Sequence, residues 1–182
     1  MNNAIGCIEL NSIARGYQVA DAMVKAANVS IVFHRTTCPG KFIVLVNGDI
    51  GAVRAAVEHG LQAGGGDVID EAIISNIHPD VFLAISGTSE IPRGGALGVI
   101  ETFSIAAVIE AADAAVKASD VQLMDIQLAM AIGGKGVVTL NGDVSAVQSA
   151  VEIACERVKD KGVLCNHCVI ANPSPEILET SL

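Results

Sequence analysis

The chain has no tryptophan, one tyrosine and four phenylalanines in 182 residues. So little aromatic volume leaves the core to Val, Ile, Leu and Ala, which suit helices packed closely on a sheet. Charge is scarce too: 17% of residues are charged, against about 25% in an ordinary globular protein, while 51% are apolar. A small protein with so few charges keeps sticky surface, and sticky surface is usually covered by another subunit. Positive charge is the scarcer sign, with 11 Lys and Arg against 20 Asp and Glu, a net charge of −9 and no basic run. That argues against a nucleic-acid partner, which demands clustered Lys and Arg. No uncharged apolar stretch approaches the roughly 18–20 residues of a bilayer span. The opening MNNAIGCIEL lacks a basic segment followed by a long apolar one. A soluble, cytoplasmic chain without a membrane partner is expected.

Familiar catalytic patterns are missing as well. No G-x-G-x-x-G follows a strand and there is no P-loop; Gly64-Gly65-Gly66 follows a helical stretch and reads as its end. His34, His59, His78 and His167 are scattered, without metal-ligand spacing. The carboxylates sit mostly at helix caps and on exposed helix faces, and Glu9 and Glu101 look structural. The expectation is that the chain is not an enzyme.

What the chain does have is five cysteines, read as thiols in a cytoplasmic setting. Cys7 and Cys155 read as small buried hydrophobes. Cys165 and Cys168 form a lone C-x-x-C, a redox pair or half a zinc site, but no second pair stands at zinc-ribbon spacing. In an extended strand, residues three apart also point to opposite faces.

The dominant feature is a duplication. Residues 4–29 align without gaps on 96–121 with 14 identities in 26 positions, and 40–58 align on 134–152 with 11 in 19. Each repeat reads as a strand (4–10 and 96–102), a Ser N-cap (Ser12, Ser104) and an Ala-rich helix to about Asn28 or Asp120. A hairpin follows, with strands near 29–36 and 41–47, then near 121–129 and 136–141. Asn47-Gly48 and Asn141-Gly142 read as turns, Asp49 and Asp143 as caps of a second helix, and 68–75 and 163–170 as last strands. The stretch 77–95, with Pro79, Pro92, Gly94 and Gly95, reads as a linker carrying a short helix. The fold class is α+β: two tandem domains, 1–78 and 96–182 around a linker at 79–95, each a small antiparallel sheet with helices on one face.

The string E-x-x-S-I-A-x-x-x-x-x-A-D-A-x-V-K-A, at Glu9–Ala26 and again at Glu101–Ala118, is followed by a glycine-tipped hairpin and N-G-D. This pattern resembles the bacterial microcompartment shell domain, and its doubling resembles the tandem class. That resemblance implies a ferredoxin-like fold, and a homotrimer forming a flat six-domain disc that tiles with other shell proteins in the bacterial cytoplasm. It also implies that Lys25 and Lys117 make contacts at the disc edge; by helix logic alone each is a solvated lysine favourable to a helix C-terminus. One departure concerns the arginine that many shell domains carry after the last strand. Asn76 and Asn172 stand there instead, so edge contacts are expected to be weaker or suited to another neighbour.

By the same resemblance the hairpin tips line a central pore: Thr37, Cys38, Pro39 and Gly40 in the first repeat, Ile132, Gly133 and Gly134 in the second. Only the first tip holds a cysteine, so a trimer brings three thiols to one axis. Three thiolates suit a soft metal or an iron–sulfur cluster. Thr36 to Phe42, T-x-C-P-G-K-F, resembles the iron–sulfur shell proteins of propanediol-utilisation microcompartments at their cluster ligand. The resemblance implies a [4Fe–4S] cluster, or a [3Fe–4S] one, held by Cys38 of three subunits, and electron transfer to an enclosed or cytosolic redox enzyme. Lys41 reads either as positive potential beside such a cluster or as a solvent-facing hairpin lysine. Two other readings stay open: a plain or gated metabolite pore lined by Cys38, and a cytosolic thiol redox protein using Cys165 and Cys168.

Overall fold

The structure, a computed structural model, describes residues 4–90, 92 and 94–179, with Glu179 described by its backbone only. The outermost residues of the two expected domains lie outside the described residues. The first half runs β1 (Ala4–Leu10), α1 (Ile13–Ala26), β2 (Val29–Thr37), β3 (Lys41–Gly48), α2 (Ile50–Gly64) and β4 (Val68–Ile74). A short helix, α3 (Pro79–Ile85), follows. The second half repeats the order as β5 (Ala96–Thr102), α4 (Ile105–Ala118), β6 (Val121–Leu128), β7 (Gly136–Gly142), α5 (Val144–Val158) and β8 (Leu164–Ile170). It ends in a single turn, α6 (Pro175–Glu179).

Two compact units emerge, and they divide the chain differently from the repeats. Unit 1 takes residues up to Ile77 together with Ser104–Ala106 and Ala129–Gly134; unit 2 takes the remainder. The linker helix α3 therefore belongs to unit 2, where it packs on β6.

In unit 1 the sheet order is β2-β3-β1-β4, antiparallel throughout. Alternation places Ala4, Ile8 and Leu10 of β1 and Phe42, Val44 and Val46 of β3 on one face. These residues form one buried cluster with Val19, Ala20 and Met23 of α1 and Val53, Ala56 and Val57 of α2. Both helices thus lie on that face. Glycine permits the close approach: a Cβ on Gly16 would lie only 2.2 Å from the Phe42 ring, and one on Gly60 would lie 2.6 Å from Ile8 and 2.8 Å from Met23. The opposite face carries Ile5, Cys7, Ile43 and Leu45, also fully buried, and the charged residues Glu9, Lys41 and Asp70.

Unit 2 has the sheet β6-β7-β5-β8, with α5 over Gly98 and Leu140. Leu178 of α6 is buried with Leu97 and Met124.

Local details depart from the sequence expectations at the two Asn-Gly pairs. Asn47-Gly48 and Asn141-Gly142 are not turns but the last residues of β3 and β7, where Gly48 pairs with both Ala4 and Val29. The glycine is needed for close approach rather than for φ, since a Cβ there would lie 3.3 Å from the Asn28 carbonyl oxygen. Ser12 caps α1 by accepting from the Arg15 N–H, as expected. Its counterpart Ser104 donates its hydroxyl to Asp70, and the first amide of α4 goes to another acceptor, described below.

Candidate functional site

The first tip joins β2 to β3 through a four-residue turn, Thr37–Gly40. The Gly40 N–H donates to the Thr37 carbonyl at 3.0 Å, the Cys38–Pro39 peptide is cis, and Gly40 has φ +90°. The Cys38 thiol is free and half-buried. Thr37 is buried, and its hydroxyl oxygen has no hydrogen-bond partner.

The second tip, Ala129–Gly134, belongs to the same unit. Ala129, Ala131, Gly133 and Gly134 all have positive φ, a crowded run of left-handed backbone in which two alanines bear a Cβ penalty. Gly134 lies against the first tip: a Cβ on it would stand 2.7 Å from Pro39 and 2.8 Å from the Cys38 carbonyl oxygen. Thr37, Cys38, Pro39, Gly40 and Gly134 are therefore brought together. Ile132 is half-buried and Gly133 exposed.

Behind the first tip stands an ion pair that the sequence reading did not place. Lys41 is not solvent-facing; its ammonium lies 2.8 Å from Oε1 of Glu9, whose side chain is fully buried. The other carboxylate oxygen, Oε2, accepts from the Ile105 N–H at 2.7 Å. Glu9 thus serves as the acceptor for the start of α4, where the helix dipole favours negative charge. Asp70, opposite Glu9 on β4, takes the Ser104 hydroxyl beside it.

In unit 2 the repeat's equivalents are Glu101 and Lys135, 2.6 Å apart, with the Lys135 ammonium also over the Phe103 ring. The Lys135 ammonium holds the Glu101 carboxyl below its ordinary range, with hydrogen bonding from Cys165 adding to it against partial burial. The same contact raises the Lys135 pKa. Cys165 is half-buried and Cys168 exposed, and neither is in a disulfide. Cys7 is buried, while Cys155 is half-buried with its thiol pushed up by desolvation.

The two lysines expected at the edge differ. Lys25 is 73% exposed and pairs with Asp21 at 2.7 Å, beside a shallow groove lined by Ala22, His59 and Gln62. Lys117 is 34% exposed and held at 2.5 Å by Asp113, which also accepts from the His78 N–H. Asn76 adopts φ +51°, a left-handed position that asparagine tolerates better than arginine. Among the described residues no three His, Cys, Asp or Glu side chains gather as a metal site, and no helix is long and apolar enough to cross a membrane.

A family model for the BMC domain matches twice, over residues 4–77 and 96–173. The chain belongs to the BMC-domain family. Among similar proteins is the bacterial microcompartment shell protein PduT of Citrobacter freundii, 45% identical over 95% of this chain and 94% of its own length. The carboxysome shell protein CcmK2 of Synechocystis sp. is 35% identical over 51% of this chain and 96% of its own. A crystal structure of a microcompartment protein from Desulfitobacterium hafniense superimposes with a TM-score of 0.85 at 44% identity, covering 97% of this chain and 98% of that one. The chain is thus a tandem BMC-domain shell protein of a bacterial microcompartment, placed in the shell within the bacterial cytoplasm. Its BMC-domain relatives are structural proteins of such shells.

Proposed function

We propose that this shell protein assembles as a homotrimer, holds one [4Fe–4S] cluster through the Cys38 thiolates of three copies, and conducts electrons across the shell. The observation that carries the reading is the placement of Cys38 at a tip against which the second repeat's tip is packed through Gly134. The residues present fit such a group. One chain is short of a site by itself, but threefold symmetry supplies three soft ligands at one point. Thr37 adds an unpaired hydroxyl next in sequence to the ligand, and hydrogen-bond donors near sulfur tune such centres. A [3Fe–4S] cluster suits the same three thiolates.

The chain's own part is positional. Pro39 offers no N–H, Gly40 allows the turn, and Gly134 allows the second tip to lie on the Cys38 carbonyl. When bound, the cluster supplies one-electron oxidation and reduction. Its electron partner in this reading is a redox enzyme on one side of the shell. Lys25, the more exposed of the pair, and Lys117 meet neighbouring tiles.

Anaerobic purification of wild type and Cys38→Ser, with iron and sulfide analysis and EPR, tests the proposal. Roughly three to four irons per trimer, absent from a Cys38→Ser protein that still forms trimers, is the expected result. A colourless wild type that takes up no iron on anaerobic reconstitution leaves the plain or gated pore.

A further inference from the structure

The duplication gives each chain two copies of one joint, and only one of them is closed. In the closed copy, the Glu9 carboxylate is fully buried and accepts from the Ile105 N–H, while Ile105 and Ala106 are fully buried beside it. The repeat maps Glu9 on Glu101, Lys41 on Lys135, and Ser104-Ile105-Ala106 on Ser12-Ile13-Ala14. Those counterparts are open. The Glu101 side chain is 28% exposed, Ile13 is 40% exposed, and Ala14 and Tyr17 are also exposed.

The two open halves are complementary to each other rather than to themselves. Glu101, already paired with Lys135, is an anionic acceptor on the sheet face opposite α5. The start of α1 offers first-turn amides that the helix itself does not satisfy, at the positive end of its dipole. A surface that presents both halves of a joint closes head to tail with another copy of itself.

We infer that Glu101 is the acceptor for the α1 N-terminus of a second copy, taking the N–H of Ile13 of the partner subunit as Glu9 takes that of Ile105 within the chain. The occupant is a second copy of this chain because the same chain already displays the seated form. The inference rests on the trimeric reading above, which supplies the number of copies that close the ring. It goes beyond that reading by naming a side chain on which assembly depends.

The two joints are not equal. Glu9 stands opposite Asp70, which takes the Ser104 hydroxyl; Glu101 stands opposite Asn166. The joint between copies thus has one carboxylate fewer than the joint within the chain. Charge-assisted hydrogen bonds are the stronger kind, so the intermolecular joint is the weaker of the two. Restoring the missing charge should strengthen it.

Sedimentation or native mass spectrometry of the full chain across a dilution series gives the test, with melting curves as the folding control. Glu101→Lys should move the dissociation midpoint up by about a hundredfold or abolish the trimer, leaving a folded monomer. Asn166→Asp should lower the midpoint by about tenfold, a gain that misfolding cannot imitate. A wild-type trimer whose midpoint neither substitution moves by more than about twofold overturns this inference and leaves the trimeric reading intact. A wild type that never assembles overturns both.

Discussion

Glu101 and Glu9 occupy the same strand position in the two repeats, and environment alone separates them. Glu9 is fully buried with two donors; Glu101 is partly exposed, with Lys135 and Cys165 holding its carboxyl below the ordinary value of 4.5. A depressed carboxyl pKa means that the folded state favours the charged form. The stability it contributes is present above the unfolded-state pKa and is lost as pH falls through the lower folded value. Lys135, with its pKa raised, contributes below about 10.5 and loses that contribution only as pH rises past it. The stability difference between wild type and Glu101→Gln should therefore be flat from about pH 6 to 9 and shrink below about pH 4. Chemical denaturation at a series of pH values measures it, and because the pair is partly exposed the difference should be small. A difference that grows on acidification would show that the carboxylate is not the stabilised form.

Among the elements, α1 shows how a helix and a strand constrain each other. Its Ser12 cap, its apolar positions Val19, Ala20 and Met23, and its Lys25 near the C-terminus are ordinary helix grammar. Gly16 breaks that grammar, since glycine inside a helix costs about 1 kcal/mol relative to alanine. The structure explains the exception: the Phe42 side chain fills the place of the missing Cβ. Gly16→Ala should then destabilise the chain by about 1–3 kcal/mol despite the better helix propensity, because core overpacking outweighs it. A thermal melt decides the sign, and a raised midpoint would mean that Phe42 moves aside without cost. The same kind of constraint acts at the end of β3. Asn47-Gly48 has turn composition, yet the small residue is there because two neighbouring strands pair with it.

For the whole molecule, the units do not coincide with the repeats. Unit 1 draws Ser104–Ala106 and Ala129–Gly134 from the second repeat, and α3 of the linker belongs to unit 2. A chain cut within the linker, between residues 85 and 96, should give two fragments that each melt below the intact protein. Each would lack partners: Glu9 its helix amide, and the second tip its seat against Cys38 and Pro39. Co-expression should let them copurify. Fragments that separately match the intact chain's melting midpoint would mean that the two repeats are independent.

The sequence by itself determined the duplication, the α+β class, the strand and helix order and the family. Those rest on local period, capping and identity between repeats, all of which are written along the chain. It also placed Cys38 on a hairpin tip, because Pro and Gly beside it demand a turn. Tertiary structure decided what the charged residues do. Lys41 turned inward to Glu9, Ser104 gave its hydroxyl to Asp70, and Glu9 took the first amide of α4. Each partner lies 32 to 96 positions away in the chain. Only burial makes such a contact worth forming, because a desolvated charge must find an opposite charge or a hydrogen-bond donor wherever the fold brings one.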